Sequence, residues 1–416
     1  MKKYIVGGWV RDKLLGKEPH DKDYVVVGST PEEMLSLGFK QVGKDFPVFL
    51  HPETNDEYAL ARTERKTGNK HTDFEFDFNP NITLEEDLRR RDCRINAIAY
   101  DEETGEFIDP FNGKADIDNH KIRIIDENYF KLDPLRVLRL CRFSASLNFG
   151  IDDYSMQVMS EMVDEGMLKY LTPERIWKET EKALIKGANS AEYFYNLKEL
   201  NAFHDWFPEL YDLTNAPEQL KYHASGNSFK HTMIALTRVK DEDTIVKFAV
   251  LCHDLGKGNT PTDILPKHND HDIRGLILIN SLCDRLKVSN DYRNFAKLFC
   301  AEHMRVAKFN DMKLSKQYDL VKEISDGFKN AEKMENFLKC FYADYFGEWV
   351  ASEYSNPETF YSICTCIRNI FNTMKGITLK DLPEEHQLSL AKQKGEKFGL
   401  IYREYMLKYL RNKLFN

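Results

Sequence analysis

Short runs of β-branched and aromatic residues, broken by Gly, Pro and Asp, fill the first quarter of the chain: Tyr4 to Val6, Tyr24 to Val27, Tyr58 to Ala61, Ala97 to Tyr100 and Phe107 to Ile108. This pattern predicts a sheet with accompanying helices up to about residue 110. From about Pro134 onward, apolar residues fall three and four apart, as in Leu135-Leu138-Cys141 and Ile245-Phe248-Ala249-Cys252, and alternating runs become scarce. The rest is therefore expected to be helical, which makes the chain α+β. No internal repeat or low-complexity stretch interrupts it, and Asn215-Ala216-Pro217 is the best candidate break.

At 416 residues the chain has room for two to four domains of roughly 100–200 residues each, so one active site need not be the whole account. With 42% hydrophobic and 30% charged residues it reads as an ordinary globular protein, neither disordered nor fibrous. A net charge of −8 argues against non-specific nucleic-acid binding, which is dominated by excess Lys and Arg. Any RNA contact must then use local patches. Arg89-Arg90-Arg91 and the arginines at 136, 139 and 142 are candidates, although each cluster alone reads equally well as a solvated face. No signal peptide or anchor is expected, since Arg11-Asp12 breaks the only early apolar run, and no stretch approaches the ~18 apolar residues of a membrane span. Eight cysteines without a CxxC pair point to buried thiols in a reducing compartment, with a cytoplasmic location as the expectation.

Two constellations carry chemistry. In the first, Gly7-Gly8 lies between a β run and Trp9-Val10-Arg11-Asp12, a strand, turn and helix pattern that lets backbone N–H groups approach a phosphate with Arg11 beside it. Asp21 and Asp23 then open a strand, where period-two alternation points both carboxylates the same way. Such a pair repels itself unless cations intervene, and Mg²⁺ with nucleotide phosphates suits hard oxygen ligands. Glu57, at the start of another β run, is either a third carboxylate of this cluster or an ordinary exposed glutamate.

The ordered series Gly7-Gly8-Trp9-Val10-Arg11-Asp12, Asp21-Lys22-Asp23, Arg90-Arg91-Asp92-Cys93-Arg94 and Asp133-Pro134-Leu135-Arg136-Val137-Leu138-Arg139-Leu140-Cys141-Arg142-Phe143 resembles the class II tRNA nucleotidyltransferases. These belong to the DNA polymerase beta superfamily, together with bacterial poly(A) polymerases. The resemblance implies metal binding by Asp21 and Asp23, triphosphate contacts by Gly8 and Arg11, and ribose and phosphate contacts by Arg91 and Asp92. It also implies a nucleotide-reading helix carrying Asp133, Arg136, Arg139 and Arg142. Asp133 and Arg136 stand three apart, hence on one helical face. A carboxylate accepting from an exocyclic amine while a guanidinium donates to a ring nitrogen suits cytosine and adenine and not uracil or guanine. The chain departs from the family at Leu132, where a Glu is usual, and at Cys93-Arg94.

In the second constellation, six of the twelve histidines fall between residues 223 and 303. At its centre is Phe248-Ala249-Val250-Leu251-Cys252-His253-Asp254-Leu255-Gly256, read as an apolar helix ended by glycine. A carboxylate beside an imidazole can bridge cations, and imidazole-rich sites favour transition metals. This region is similar to the HD-domain phosphohydrolases, in particular to CCA-adding enzymes in which an HD domain follows the transferase. The match is firmest at His253 and Asp254, then His231, with His271, His303 and Asp344 looser. The resemblance implies phosphatase, 2′-nucleotidase and 2′,3′-cyclic phosphodiesterase activities with Ni²⁺; a degenerate HD fold kept for RNA docking is the alternative.

Together these readings predict a polymerase beta-like head with its nucleotide helix over residues 1–142, a helical neck and body over 143–220, an HD domain over 221–345 and a helical tail over 346–416. The expected substrates are CTP, ATP and tRNA held at its acceptor stem and elbow, the expected metals Mg²⁺ and Ni²⁺, and the expected state a monomer or homodimer without membrane contact. Rival readings are a poly(A) polymerase and an RNA-binding protein with an inactive transferase site.

Overall fold

A computed structural model describes residues 1–42, 48–66, 74–218, 226–347 and 356–415. The described chain divides into two compact units, Met1–Ala183 with Ala188–Trp206, and Leu184–Gly187 with Phe207–Asn416. Residues 207–218, placed with the neck by the sequence reading, thus pack with the second unit.

The first unit is built on a mixed sheet of seven strands. They are β1 (Lys2–Val6), β2 (Asp23–Val27), β3 (Lys40–Gln41), β4 (Val48–Leu50), β5 (Glu57–Leu60), β8 (Ala99–Tyr100) and β9 (Phe107–Ile108), with β6 (Thr63–Lys66) and β7 (Phe74–Asp77) forming a separate antiparallel pair. The spatial order is β3-β4-β5-β2-β1-β8-β9. The two central strands bury three successive residues each, Tyr4-Ile5-Val6 and Tyr24-Val25-Val26, because both faces of the sheet are covered. One face packs Tyr4, Val6, Val25, Ala61, Leu88 and Ala97 into a core. β2 runs antiparallel to β1 but parallel to β5, and the second pairing aligns Asp23 with Glu57, Tyr24 with Tyr58 and Val25 with Ala59. β3, β4, β6 and β7 are not anticipated by the sequence reading; each has four residues or fewer, too short to show alternation.

Beyond the sheet, the helix Leu135–Leu147 buries nine of its side chains and packs on the helices Pro173–Ala183 and Ser190–Glu199. The second unit has no named strand among its described residues. Its central helix, Thr244–Cys252, is buried from Val246 to Cys252 and is surrounded by the helices Ser228–Arg238, Asn290–Val306 and Ala331–Tyr345. A helix that is apolar all round belongs in the middle of a bundle. The helix His271–Leu286 packs against Asn290–Val306. All eight cysteines are free thiols, seven of them buried. Among the described residues no helix is long and apolar enough to cross a membrane.

Candidate functional site

In the first unit a cleft of about 580 Å³ opens above the ends of β1, β2 and β5. It is lined by Gly7, Gly8, Arg11, Asp23, Glu57, Arg91, Asp92, Asp133, Arg136, Arg139 and Arg142. Gly7 holds φ at 75°, a left-handed value that disfavours side chains, and a Cβ there would meet Arg91 Nη1 at 3.6 Å and Asp23 Oδ2 at 3.9 Å. The turn into the helix Gly8–Leu14 therefore needs glycine beside the carboxylate.

Asp23 is the first residue of β2 and stands in register with Glu57, the first of β5. The polarity-poor surroundings raise the Asp23 pKa first, the Glu57 carboxylate adds to this, Arg91 opposes it and Asp21 contributes least. Crowded carboxylates of this kind suit a divalent cation. Asp21 corrects the sequence reading in one respect. It lies in a bend before β2 with φ at 23°, outside the strand and outside the cleft lining, so period-two alternation does not place it. Its influence on Asp23 comes from proximity alone.

The arginine wall is pre-formed. Arg139 donates from Nε and Nη2 to Asp92 Oδ2 at 2.8 and 2.6 Å. Asp92 Oδ1 accepts from Cys93 N at 2.9 Å and Asn96 Nδ2 at 3.0 Å. Burial would push this carboxyl up, but Arg139, Asn96 and Arg136 outweigh it and hold it well below the usual carboxylate range. Arg142 Nε donates to Glu179 Oε2 at 2.5 Å, and Arg139 Nη1 is 3.9 Å from Glu179 Oε1. The ring of Phe143 gathers three guanidinium groups, those of Arg11 (5.6 Å), Arg139 (5.5 Å) and Arg142 (4.1 Å). Arg91 is steadied by the buried Asp87, 3.2 Å away.

Asp133 and Arg136 are a second correction. Asp133 has extended backbone (φ −122°, ψ 103°) and precedes the helix, so the two do not share a helical face. Pro134 forces this, because the residue before a proline is driven out of the helical region. Asp133 instead pairs with Arg175 at 2.8 Å, from the helix Pro173–Ala183.

In the second unit the central helix ends at Cys252, with His253 as its C-cap, and not at glycine. Gly256 has a different task. A Cβ there would lie 1.9 Å from the His271 carbonyl oxygen, so only glycine lets the two segments meet. His253, His271 and His303 each use Nδ1 on the carbonyl three residues earlier, Val250, His268 and Cys300, at 2.7, 2.8 and 2.7 Å. A carbonyl only accepts, so each Nδ1 carries a proton and each Nε2 faces inward. These atoms converge with carboxylates into two groups, His231, His253 and Asp344, and Asp254, His271 and His303. His231 Nε2 is 3.1 Å from Asp344 Oδ1, and His271 Nε2 is 3.0 Å from His303 Nε2. Asp254 Oδ1 and His253 Nε2 lack an aligned hydrogen bond although they are buried, which fits metal-ligand chemistry. Burial opposes protonation of His253, but Asp254 and Asp344 prevail and raise it to about 10; His303, where burial prevails, falls to about 4. Lys257 bridges Glu218 (2.8 Å) and Asp254 (2.9 Å).

The sequence reading missed Phe143 as an organiser, and missed Asp87, Arg175, Glu179, Glu218 and Lys257. Glu179 had a usable signal, a carboxylate three residues from Ile176 on the buried face of its helix.

Comparison with known proteins places the chain in a family. Residues 3–123 match the Poly A polymerase head domain, and residues 148–213 match the probable RNA and SrmB-binding site of polymerase A. A Multifunctional CCA protein of Mannheimia succiniciproducens is 42% identical over 395 residues, 92% of this chain and 92% of that protein. One from Acinetobacter baumannii strain AYE is 40% identical over 416 residues, 99% and 97% of the two chains. The chain belongs to the multifunctional CCA protein family. As a multifunctional CCA protein it is an enzyme, and its nucleotidyltransferase head implies use of divalent metal. The fold matches the Thermotoga maritima CCA-adding enzyme complexed with tRNA (TM-score 0.64, 21% identity, 99% of this chain and 87% of that one). It also matches the Bacillus stearothermophilus CCA-adding enzyme in complex with CTP (TM-score 0.62, 21% identity, 99% and 93%).

Proposed function

We propose that the first unit adds and repairs the 3′-terminal CCA of tRNA from CTP and ATP, and that the second is a metal-dependent phosphohydrolase acting on RNA ends. The observation that carries the first reading is the register of Asp23 with Glu57 beneath a wall of four arginines, Arg11, Arg91, Arg139 and Arg142. Carboxylates at one end of a cleft and fixed cations along it suit a nucleoside triphosphate with its reacting phosphorus next to the acids.

Asp23, with Asp21 and Glu57 close by, would hold Mg²⁺. When bound, such ions lower the pKa of the attacking hydroxyl and neutralise charge on the leaving oxygen. Arg11, Arg139 and Arg142, positioned by Phe143, Asp92 and Glu179, bind and orient the triphosphate. The tRNA 3′-oxygen forms the new bond to the α-phosphorus as the bond to pyrophosphate breaks. Asp133, which also lines the cleft, accepts from the exocyclic amine of the base.

In the second unit His231, His253, Asp254, His271, His303 and Asp344 would hold a metal pair, with Ni²⁺ favoured by four imidazoles. Such a metal supplies a bound water that ionises near neutral pH. Lys257 keeps Asp254 oriented, and the three carbonyl-anchored imidazoles fix the tautomer that leaves Nε2 available.

The deciding experiment is incorporation by the full chain into tRNA lacking its last three nucleotides, with each triphosphate separately and in combination. Two additions with CTP, followed by one with ATP and then arrest, support CCA addition. A lengthening ladder with ATP alone would indicate a poly(A) polymerase, and no incorporation would indicate an inactive transferase site.

A further inference from the structure

The cations around the first cleft are of two kinds. Arg11, Arg91, Arg139 and Arg142 each have a carboxylate partner, at 2.8, 3.2, 2.6 and 2.5 Å respectively. Lys182 is the only lysine among the lining residues, and among the described residues it has no hydrogen bond or ion pair. It is exposed, so a ligand entering the cleft can reach it.

The helix Pro173–Ala183 sets its place. Arg175, near the start of that helix, meets Asp133 at 2.8 Å, and Glu179, one turn on, meets Arg142 at 2.5 Å and Arg139 at 3.9 Å. Lys182 follows three residues later, beside Glu179 on the helix surface. It therefore continues the line of positive charge past Arg142 and away from Asp133. Burial opposes its charge first; Glu179 favours the charge, but Arg142, Lys178 and Arg139 act against it, and its pKa lies below the ordinary lysine value. An ammonium set among like charges, whose nearest carboxylate is already shared by two guanidinium groups, gains most from an arriving anion.

In an in-line transfer the attacking oxygen and the departing pyrophosphate lie on opposite sides of the α-phosphorus. With the α-phosphorus beside Asp23 and the remaining phosphates along Arg139 and Arg142, the far end of that row is on the leaving-group side.

We propose that Lys182 receives the γ-phosphate of the incoming nucleotide and keeps hold of the departing pyrophosphate, so that the cleft distinguishes a nucleoside triphosphate from a diphosphate. This rests on the reading of the cleft as a CTP and ATP site. A diphosphate ends at the arginines and leaves Lys182 as it is in the resting protein. Lys182 does not read the base, so CTP and ATP gain from it equally. Lys178, one turn earlier and outside the cleft lining, provides a control for loss of charge at a distance.

The test measures equilibrium binding of CTP, ATP and CDP to the full chain by calorimetry, with Mg²⁺ and without tRNA, for the wild type, Lys182→Gln, Lys182→Arg and Lys178→Gln. Pyrophosphate inhibition of CMP addition to tRNA lacking its terminal CCA is measured on the same preparations. Lys182→Gln is expected to bind CTP and ATP about tenfold more weakly, the lower end for a charge-assisted hydrogen bond because solvent reaches the site. It should bind CDP as the wild type does and be inhibited less by pyrophosphate. Lys182→Arg, which keeps the charge, should restore most of the affinity, and Lys178→Gln should keep the wild-type ratio of CTP to CDP. The proposal is overturned if CTP and CDP weaken by the same factor in Lys182→Gln, if neither weakens, or if Lys178→Gln lowers the ratio as much. A loss confined to the KM for tRNA also overturns it, making Lys182 a contact to the RNA backbone. A wild type that binds CTP more tightly than CDP but adds no CMP refutes the transferase reading alone, since the binding ratio still decides the role of Lys182.

Discussion

The Nε2 atoms of His271 and His303 face each other at 3.0 Å, although each imidazole already donates its Nδ1 proton to a backbone carbonyl. Two inward lone pairs at that distance repel unless a cation lies near both. Adding Ni²⁺ should therefore raise the unfolding temperature of the second unit. Ligand at about a hundred times its dissociation constant contributes about 2.7 kcal/mol. Treatment with a chelator should reverse the shift, and His303→Ala should remove it. An unchanged melting curve across a Ni²⁺ titration of the wild type would rule out the metal assignment.

Asp23 and Asp254 belong to different units, so their losses should be separable. Asp23→Asn is expected to reduce nucleotide addition by on the order of 10³ or more, with hydrolysis of a 2′,3′-cyclic phosphate intact. Asp254→Asn should do the reverse. Both activities would be assayed on the same preparations, and a parallel loss in folded protein would contradict two independent sites.

The Asp92–Arg139 pair should make stability acid-sensitive. The Asp92 carboxyl titrates lower in the folded chain than in the unfolded one. The unfolded state thus binds more protons below about pH 4, and the pair's contribution, complete above that pH, is lost as pH falls through the folded value. Asp92→Asn leaves the half-buried Arg139 with only the more distant Glu179 as a carboxylate partner and should cost about 1–3 kcal/mol. Denaturant unfolding at pH 7 and again between pH 5 and 3 would show a shallower acid dependence in the variant. Equal slopes would refute the assignment.

Gly256→Ala places a methyl group 1.9 Å from the His271 carbonyl oxygen, which the two segments cannot absorb without moving apart. Destabilisation of about 1–3 kcal/mol is expected. Hydrolysis should fall with it while CMP incorporation persists. Wild-type hydrolysis in this variant would show that His271 need not stay where the structure puts it.

Much of the site was legible because its residues sit where local rules hold. Gly7 marks a turn, Asp23 and Glu57 open β runs, and the arginines at 139 and 142 belong to a helix whose apolar period is plain. The failures have local causes too. Pro134 denies Asp133 the helical geometry that an i, i+3 spacing presupposes, and Asp21 precedes the strand that was to orient it. Gly256 was read as a helix stop, whereas its conformation is unexceptional and its small size is what matters, a requirement set by a segment fifteen residues away. Arg175 and Glu218 act through partners distant in sequence, which spacing alone does not reveal. The short strands β3 and β4 owe their existence to pairing, β4 with β5 and β3 with β4, rather than to any pattern of their own.

Phe143 has a further consequence. Three guanidinium groups gather round a single aromatic ring before any polyanion arrives, each also held by a carboxylate, so the cations a triphosphate meets are already in place when it enters. Replacing the ring with an aliphatic side chain of similar bulk would leave the cavity shape nearly intact yet let those cations splay apart. Affinity for ATP and CTP would then decline together and depend more steeply on salt, the signature of charges that must be marshalled anew at each encounter.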